Sequence, residues 1–385
     1  MGQIITFYSY KGGVGRTMAL ANVAVLLAQW KYKVLIVDWD LEAPGLEYFF
    51  KDYLDLKTVT QQPGIIDLLD YVSKAESEKF PDWRGLLVNI SIPGIEVTLH
   101  LLTAGKRDAG YFNKVRNLDV NSLYLEKNGG NFIEALRNEW KQEYDFALID
   151  SRTGITDIGG ICTIQLPDML VLLFLATEQS LNGVIDVAQK ATIARQKLPF
   201  ERLGLVSLPI PGKFDAKEEF KISQEWLDRF ASELSELYTD WLPTSVKIRD
   251  ILEITKIPYV PYFSFGEKLP VLEQGTIDPA GLGYAYETLT ALIANNQEAV
   301  ELLQDDRDQY IRLASKRQVK INNAREKQIL TVQDLQKFLN ISEATIYKWI
   351  RERNLPHIKI GKTLRFNKDN VIEWLEQYET GNKWR

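Results

Sequence analysis

The chain has 385 residues, 45% of them apolar and 25% charged, which suits a globular protein of two domains or more. No stretch approaches the roughly 18 to 20 uncharged apolar residues of a membrane span, and one cysteine, Cys162, with two distant histidines, His100 and His357, excludes disulfide scaffolds and metal sites built only from side chains. The net charge of −6 divides unevenly: residues 306–385 carry 17 basic against 10 acidic side chains and residues 1–305 carry 29 against 42, so an acidic body bears a basic tail suited to an anionic partner.

The chain opens on Met1-Gly2-Gln3-Ile4-Ile5 with no basic region ahead of a long apolar one, so no secretory leader is expected. Gly2 is not read as a lipid acceptor, because strand residues follow at once. A cytoplasmic location is expected.

Ile4 to Tyr8 is a short apolar, β-branched run that predicts a buried strand. A glycine loop follows. From Thr17 to Gln29 the apolar spacing is helical, and Val34 to Val37 predicts a second strand, closed by Asp38-Trp39-Asp40. Strand, helix and strand within about forty residues form a βαβ unit and imply a parallel sheet. Further strands are expected at Phe146–Ile149, ending in Asp150, at Met169–Phe174 and at Leu203–Leu208. Helices are expected over Phe132–Trp140 and Gly183–Arg195. Residues 215–250 read as helical through Phe220, Ile222, Trp226, Phe230, Leu234 and Leu237. Tyr259-Val260-Pro261-Tyr262 reads as a strand, and a helix near Tyr284–Ala294 closes one large α/β domain with helices on both faces.

Backbone amides bind phosphate where glycines let them approach at the start of a helix. Gly12, Gly13 and Gly15 supply such a loop, between a strand and a helix, and Thr17 supplies a hydroxyl suited to Mg²⁺. The stretch Lys11-Gly12-Gly13-Val14-Gly15-Arg16-Thr17, with Asp38, Asp40 and Asp150 at strand ends, resembles the deviant P-loop of the ParA/MinD family of ATPases. The resemblance covers roughly residues 1–297. It implies ATP and Mg²⁺ as cofactors and a dimer that sandwiches ATP. By position, Gly12 to Thr17 wrap the phosphates, with Val14 and Met18 beside them. Thr17 ligates Mg²⁺, and Asp150 and Asp38 hold it through water. Asp40 stands near the attacking water, and Lys11 reaches the partner's nucleotide. Asp150-Ser151-Arg152-Thr153-Gly154 corresponds to the second switch, where Arg152 is open to two readings, a γ-phosphate contact or a structural ion pair. Pro261 and Tyr262, with Thr177-Glu178-Gln179-Ser180, lie where the family places adenine. One departure stands out: Arg16 occupies the place of the usual lysine, and a planar guanidinium is no simple substitute for an ammonium. Slow ATP turnover is therefore expected.

Residues 298–328 are polar and basic and read as a helical linker. Beyond it, Thr331 caps a helix over Val332–Leu339, with Val332, Leu335, Phe338 and Leu339 on one face. Ser342 caps a second helix whose Ile346, Trp349 and Ile350 face inward, leaving Thr345, Lys348 and Arg351 outward. His357–Ile360 and Thr363–Phe366 flank Gly361-Lys362 as a hairpin wing, and a last helix runs from Lys368 to Tyr378. Residues 329–379 resemble the excisionase/MerR-like winged helix-turn-helix family through Leu330-Thr331-Val332, Ile341-Ser342, Thr345-Ile346-Tyr347 and Ile360-Gly361-Lys362, ahead of a short tail, 380–385. The resemblance implies that Thr345, Lys348 and Arg351 meet a major groove and that Lys362 and Arg365 touch phosphate or the minor groove. A docking module for protein is the other reading.

The expectation is an ATP-dependent homodimer that couples nucleotide state to DNA through its C-terminal module, in DNA partition, regulation or anti-phage defence, with an activating protein partner and no membrane contact. The alternative is a positioning or signalling ATPase whose tail docks a protein.

Overall fold

A computed structural model describes residues 2–74, 81–125, 127–153, 160–199, 204–215, 219–315, 329–339, 341–360 and 363–379. The chain forms two compact units, Met1–Ser315 and Lys316–Arg385.

The first unit is built on seven strands: β1 (Gln3–Tyr8), β2 (Val34–Asp38), β3 (Val88–Ile90), β4 (Leu99–Leu102), β5 (Phe146–Asp150), β6 (Met169–Phe174) and β7 (Val206–Pro211). Their order is β3-β4-β2-β5-β1-β6-β7. The β3–β4 pair is antiparallel and every other pair is parallel. Strands β2, β5 and β6 are buried along their whole length, which explains their unbroken apolar runs. Alternation is still visible in where neighbours go. Ile5, Ile36 and Leu148 enter one core, and Ile4, Val37 and Ile149 enter the other. The first core takes helix α1 (Arg16–Gln29), α4 (Glu178–Arg195), α5 (Phe220–Glu233) and α6 (Leu282–Ala294); the second takes α2 (Ile65–Lys74) and α3 (Gly129–Glu143). The sheet is therefore covered on both faces, as the sequence predicts.

Helix α1 is buried from Ala19 to Ala28 on every side, in keeping with its small and aliphatic composition. It stops where Lys31 adopts a left-handed conformation (φ 68°) and the Tyr32 amide donates back to the Leu27 carbonyl at 3.0 Å.

Three expectations need correction. Of the strand placed at Leu203–Leu208, Leu203 lies outside the described residues, and the strand runs over Val206–Pro211; it is an edge strand, where Pro209 and Pro211 need no second partner. Tyr259–Tyr262 is no strand: Pro258 makes one isolated bridge to Phe214, and Pro261–Ser264 is a 3₁₀ turn. The body does not end at residue 297. Val300, Leu303, Tyr310 and Ala314 are buried in the first core, and the Tyr32 hydroxyl donates to the Ala314 carbonyl at 2.8 Å. Arg307 fastens the same segment to α6 through the Tyr284 carbonyl, the Thr288 hydroxyl and Glu287.

The second unit holds β8 (Ile329–Leu330), α7 (Val332–Leu339), α8 (Glu343–Arg353), β9 (Ile358–Ile360), β10 (Thr363–Asn367) and α9 (Lys368–Glu379). Strand β10 pairs antiparallel with both β8 and β9. A capping box starts α7: the Asp334 amide donates to the Thr331 hydroxyl and the Thr331 amide to the Asp334 carboxylate. Leu335, Ile346, Phe366, Val371 and Trp374 belong to a small core, with Trp349 and Ile350 packed on it. Phe338, expected on the inner face of α7, is 41% exposed, and Lys368 lies over its ring. Among the described residues no helix is long and apolar enough to cross a membrane.

Candidate functional site

Strands β1, β2, β5, β6 and β7 run parallel, so their C-terminal ends gather at one edge of the sheet. In open α/β sheets that edge is where ligands bind. The glycine loop leaves β1 there and enters α1. Gly13 (φ +76°) and Gly15 (φ +93°) take left-handed backbone that side chains resist, and a Cβ on either would meet nothing within 4 Å. The glycines are required by conformation, and the space before them is open. No side chain caps α1 and its first turn holds no acidic residue, so its N-terminal dipole stays available for an anion. A cleft of about 650 Å³ lies against this loop, lined by Gly12, Gly13, Val14, Gly15, Arg16, Thr17 and Met18.

The three aspartates have different fates. Asp150, at the end of β5, is buried; its Oδ1 accepts from Arg16 Nε at 2.5 Å and its Oδ2 from the Thr17 hydroxyl at 2.7 Å. Asp40 lines the cleft, and its Oδ2 accepts from Arg16 Nη2 at 2.9 Å. Arg16 thus bridges the loop after β2 to the end of β5, with 7% of its side chain exposed. Burial works against its charge, but Asp150 and Asp40 outweigh it and raise its pKa. Its Nη1 is buried with no acceptor, a cost of about 1 to 3 kcal/mol for a group of this kind.

Asp38, expected at the metal, is turned the other way. It is wholly buried and is absent from the cleft lining. Its Oδ1 accepts from the Asp40 amide at 3.1 Å, and its Oδ2 from the Gly45 and Leu46 amides at 3.0 and 3.1 Å. Three amides of the following loop occupy it, so Asp38 shapes that loop. Burial, then Asp150 and Glu47, push its pKa up to about 8.

Lys11 is half-buried, and no described acidic side chain pairs with it; it does not line the cleft of its own chain. The residue before it, Tyr10, lies across α4 at Gly183, where a Cβ would sit 2.1 Å from the ring. Arg152 forms an ion pair with Glu42 in the loop after β2, which favours the structural reading of that residue. Gly154 lies outside the described residues. Pro261 and Tyr262 miss the cleft: their 3₁₀ turn leaves Tyr262 54% exposed, with the Lys268 ammonium 3.7 Å over its ring. Thr177 and Glu178 begin α4, and Glu178 pairs with Arg229.

Part of the cleft lining comes from residues that the sequence reading did not assign to the site. The Phe214 amide donates to the Ile257 carbonyl and the Ile257 amide to the Pro211 carbonyl, at 2.9 and 2.8 Å. These bonds set Ile257, Pro258, Tyr259 and Val260 along the cleft, beside Lys213 (φ 47°). Lys213 lies two residues past the end of β7, so the strand-end rule was the signal that could have found it. Ser9, at the end of β1, also lines the cleft, with its hydroxyl buried and unpartnered.

In the second unit, the Ser342 hydroxyl caps α8 by accepting from the Thr345 amide at 3.2 Å, and the Thr345 hydroxyl joins it at 2.8 Å. Thr345 is thereby held in the cap. Lys348 and Arg351 are exposed on α8, and Tyr347 is 42% exposed. Lys348 lies 3.9 Å from Glu352. Arg365 is half-buried, and its Nη1 donates to the Leu364 carbonyl. Lys362 lies outside the described residues.

The donor set fits a nucleotide carrying a divalent cation. The loop presents open amides, and the buried Arg16 Nη1 and Ser9 hydroxyl lack partners. Thr17 and Asp150 lie together, as a hydroxyl and a carboxylate on one cation would. Among the described residues no cluster of three or more His, Cys, Asp or Glu forms a metal site of its own.

The probable plasmid-partitioning protein ParA of Thermus thermophilus is 24% identical over 218 residues, which are 56% of this chain and 59% of that protein. The septum site-determining protein MinD of Helicobacter pylori is 26% identical over 214 residues, 53% of this chain and 68% of that one. The chain thus spans about three fifths of the Thermus protein. Among solved structures, the septum site-determining protein MinD of Pyrococcus horikoshii, complexed with Mg-ADP, superposes with a TM-score of 0.50 at 19% identity, covering 79% of this chain and 99% of that one, a likeness of fold. Residues 329–379 match the model of a helix-turn-helix domain. Residues 5–350 match the model of the CobQ/CobB/MinD/ParA nucleotide binding domain, and the chain belongs to that family.

Proposed function

We propose that the protein is an ATP-dependent dimerising switch that couples nucleotide state to DNA binding through its C-terminal unit, in DNA partition, regulation or anti-phage defence. The observation that carries the reading is one chain holding a P-loop tied to Asp150 by Arg16 and Thr17, and a capped helix presenting Lys348 and Arg351 to solvent. Bound Mg²⁺ would neutralise charge on the phosphates and orient them. Thr17 and Asp150 would hold it, the amides from Gly12 to Thr17 would cradle the phosphates, and Asp40 would orient the attacking water. Phosphoryl transfer asks for positioning and charge neutralisation more than for covalent chemistry. Arg16 in place of lysine makes turnover slow. Lys11, unpaired by described acids in its own chain, would reach the nucleotide of a second copy. In an ATP-held dimer two winged helices act together, and a weak single contact gains avidity. Lys362 and Arg365 would add wing contacts.

The test is a gel shift with ATP, ADP and no nucleotide, beside Lys11→Ala. DNA binding that requires both ATP and Lys11 supports the reading; binding indifferent to nucleotide rules out the coupling. A second reading, a tail that docks a protein, draws support from the exposed Phe338 and Tyr347. It predicts DNA binding that is absent or insensitive to salt.

A further inference from the structure

The bridge made by Arg16 carries a consequence for the cation. Arg16 is the only described basic side chain paired with Asp40 or Asp150. Its Nε and Nη2 take one oxygen of each carboxylate, and Thr17 takes the second oxygen of Asp150. Asp40 and Asp150 are therefore engaged with one another through Arg16, and Thr17 is engaged with Asp150 directly. Without a cation the buried Asp150 would pay the penalty of burial and repel Asp40, which is 15% exposed. A guanidinium suits the place because its fork reaches two acceptors at once, one beyond β2 and one at the end of β5.

We propose that Arg16 is a resident cation that stands between Asp40 and Asp150 in the absence of nucleotide, and that Mg²⁺–nucleotide must displace it to reach Thr17 and Asp150. The inference rests on the nucleotide-binding reading of the same cleft and adds a metal threshold to it. A guanidinium left in place would face the divalent cation across the same carboxylates, like charge against like. Its buried Nη1, which has no acceptor, shows that the resting arrangement does not satisfy all of Arg16. The phosphates of a nucleotide on the neighbouring loop would offer acceptors to the displaced fork. The ligand-free protein should therefore ignore Mg²⁺ alone, and should take up nucleotide only at Mg²⁺ concentrations that overcome the bridge.

The experiment uses the full chain as wild type, Arg16→Gln and Arg16→Lys. Thermal unfolding is followed with Mg²⁺ alone, and binding of a non-hydrolysable ATP analogue is titrated across Mg²⁺ concentrations. The expected result is a wild type that Mg²⁺ alone leaves unshifted, and an Arg16→Gln variant that Mg²⁺ alone stabilises, because its carboxylates have lost their cation. In Arg16→Lys, which keeps the charge and guards against a variant that fails to fold, half-saturating Mg²⁺ for the analogue should fall several-fold. Equal responses of wild type and Arg16→Gln to Mg²⁺ alone, or an unchanged Mg²⁺ requirement in Arg16→Lys, would overturn the proposal. Failure of every form to bind the analogue would overturn the nucleotide reading instead, and the Mg²⁺-alone comparison would still decide whether Arg16 is a resident cation.

Discussion

Arg16 opens helix α1, and Arg351 lies in the last turn of helix α8. A cation at a helix C-terminus is favoured by the helix dipole, and one at the N-terminus is opposed by it. Arg351 accordingly needs no buried partner and stands exposed. Arg16 is buried against its helix's positive end and is held there by Asp150 and Asp40. The contrast separates two ways of using charge. At Arg16 the charges of the cleft are locked into pairs with Asp40 and Asp150, so a ligand acts there by exchanging partners. On the C-terminal unit Arg351 stands exposed and Lys348 makes only an exposed pair with Glu352 at 3.9 Å, so these charges yield to salt.

The sharpest way to break the comparison is to collapse one region and watch the other. Leu335 is fully buried in the small core of the C-terminal unit. Leu335→Ala should cost about 2 to 5 kcal/mol and unfold that unit. The first unit should still melt as before. Calorimetry of the full chain reads both transitions, and a common loss would mean that the units do not fold separately.

A smaller effect tests the locked region by pH. Asp38 titrates near 8 in the fold against an ordinary 3.8. The folded state therefore binds more protons between those values, and the stability that protonated Asp38 contributes is lost as pH rises through about 8. Melting temperature without Mg²⁺ should fall across that window, and Asp38→Asn should flatten the slope, whatever its absolute stability. An unchanged slope would place the titration elsewhere.

The smallest effect belongs to the exposed region. Lys348→Ala should leave stability within about 0.5 kcal/mol and weaken DNA binding alike for all sequences. The slope of log affinity against log salt should drop by about one. A loss confined to particular sequences would make Lys348 a base reader.

Much of this organisation was legible in the chain. Unbroken apolar runs gave β2, β5 and β6 away because both of their faces are covered, and the glycine loop announced itself by composition. The helix starts at Thr331 and Ser342 were legible because caps are local chemistry. What could not be read depends on where side chains point in three dimensions. Nothing in Val37-Asp38-Trp39-Asp40 says that Asp38 turns inward to three amides while Asp40 faces the cleft. Nothing in Tyr259–Tyr262 says that bonds from Ile257 to Phe214 and Pro211 decide which of those residues line the cleft. The edge at 297 was misplaced for a similar reason: the polar surface of residues 300–315 hides four buried side chains spaced along it.

That last segment bears on how the protein is made. The hydroxyl of Tyr32, in the first βα unit, meets the carbonyl of Ala314, 282 residues later. Domains fold from the N-terminus as they leave the ribosome, and contacts across long stretches form late. The nucleotide-binding body therefore cannot complete its core until translation has passed Ala314. The helix-turn-helix unit follows Ala314 in the chain, so the last core contacts of the body form only when synthesis has reached the edge of that unit.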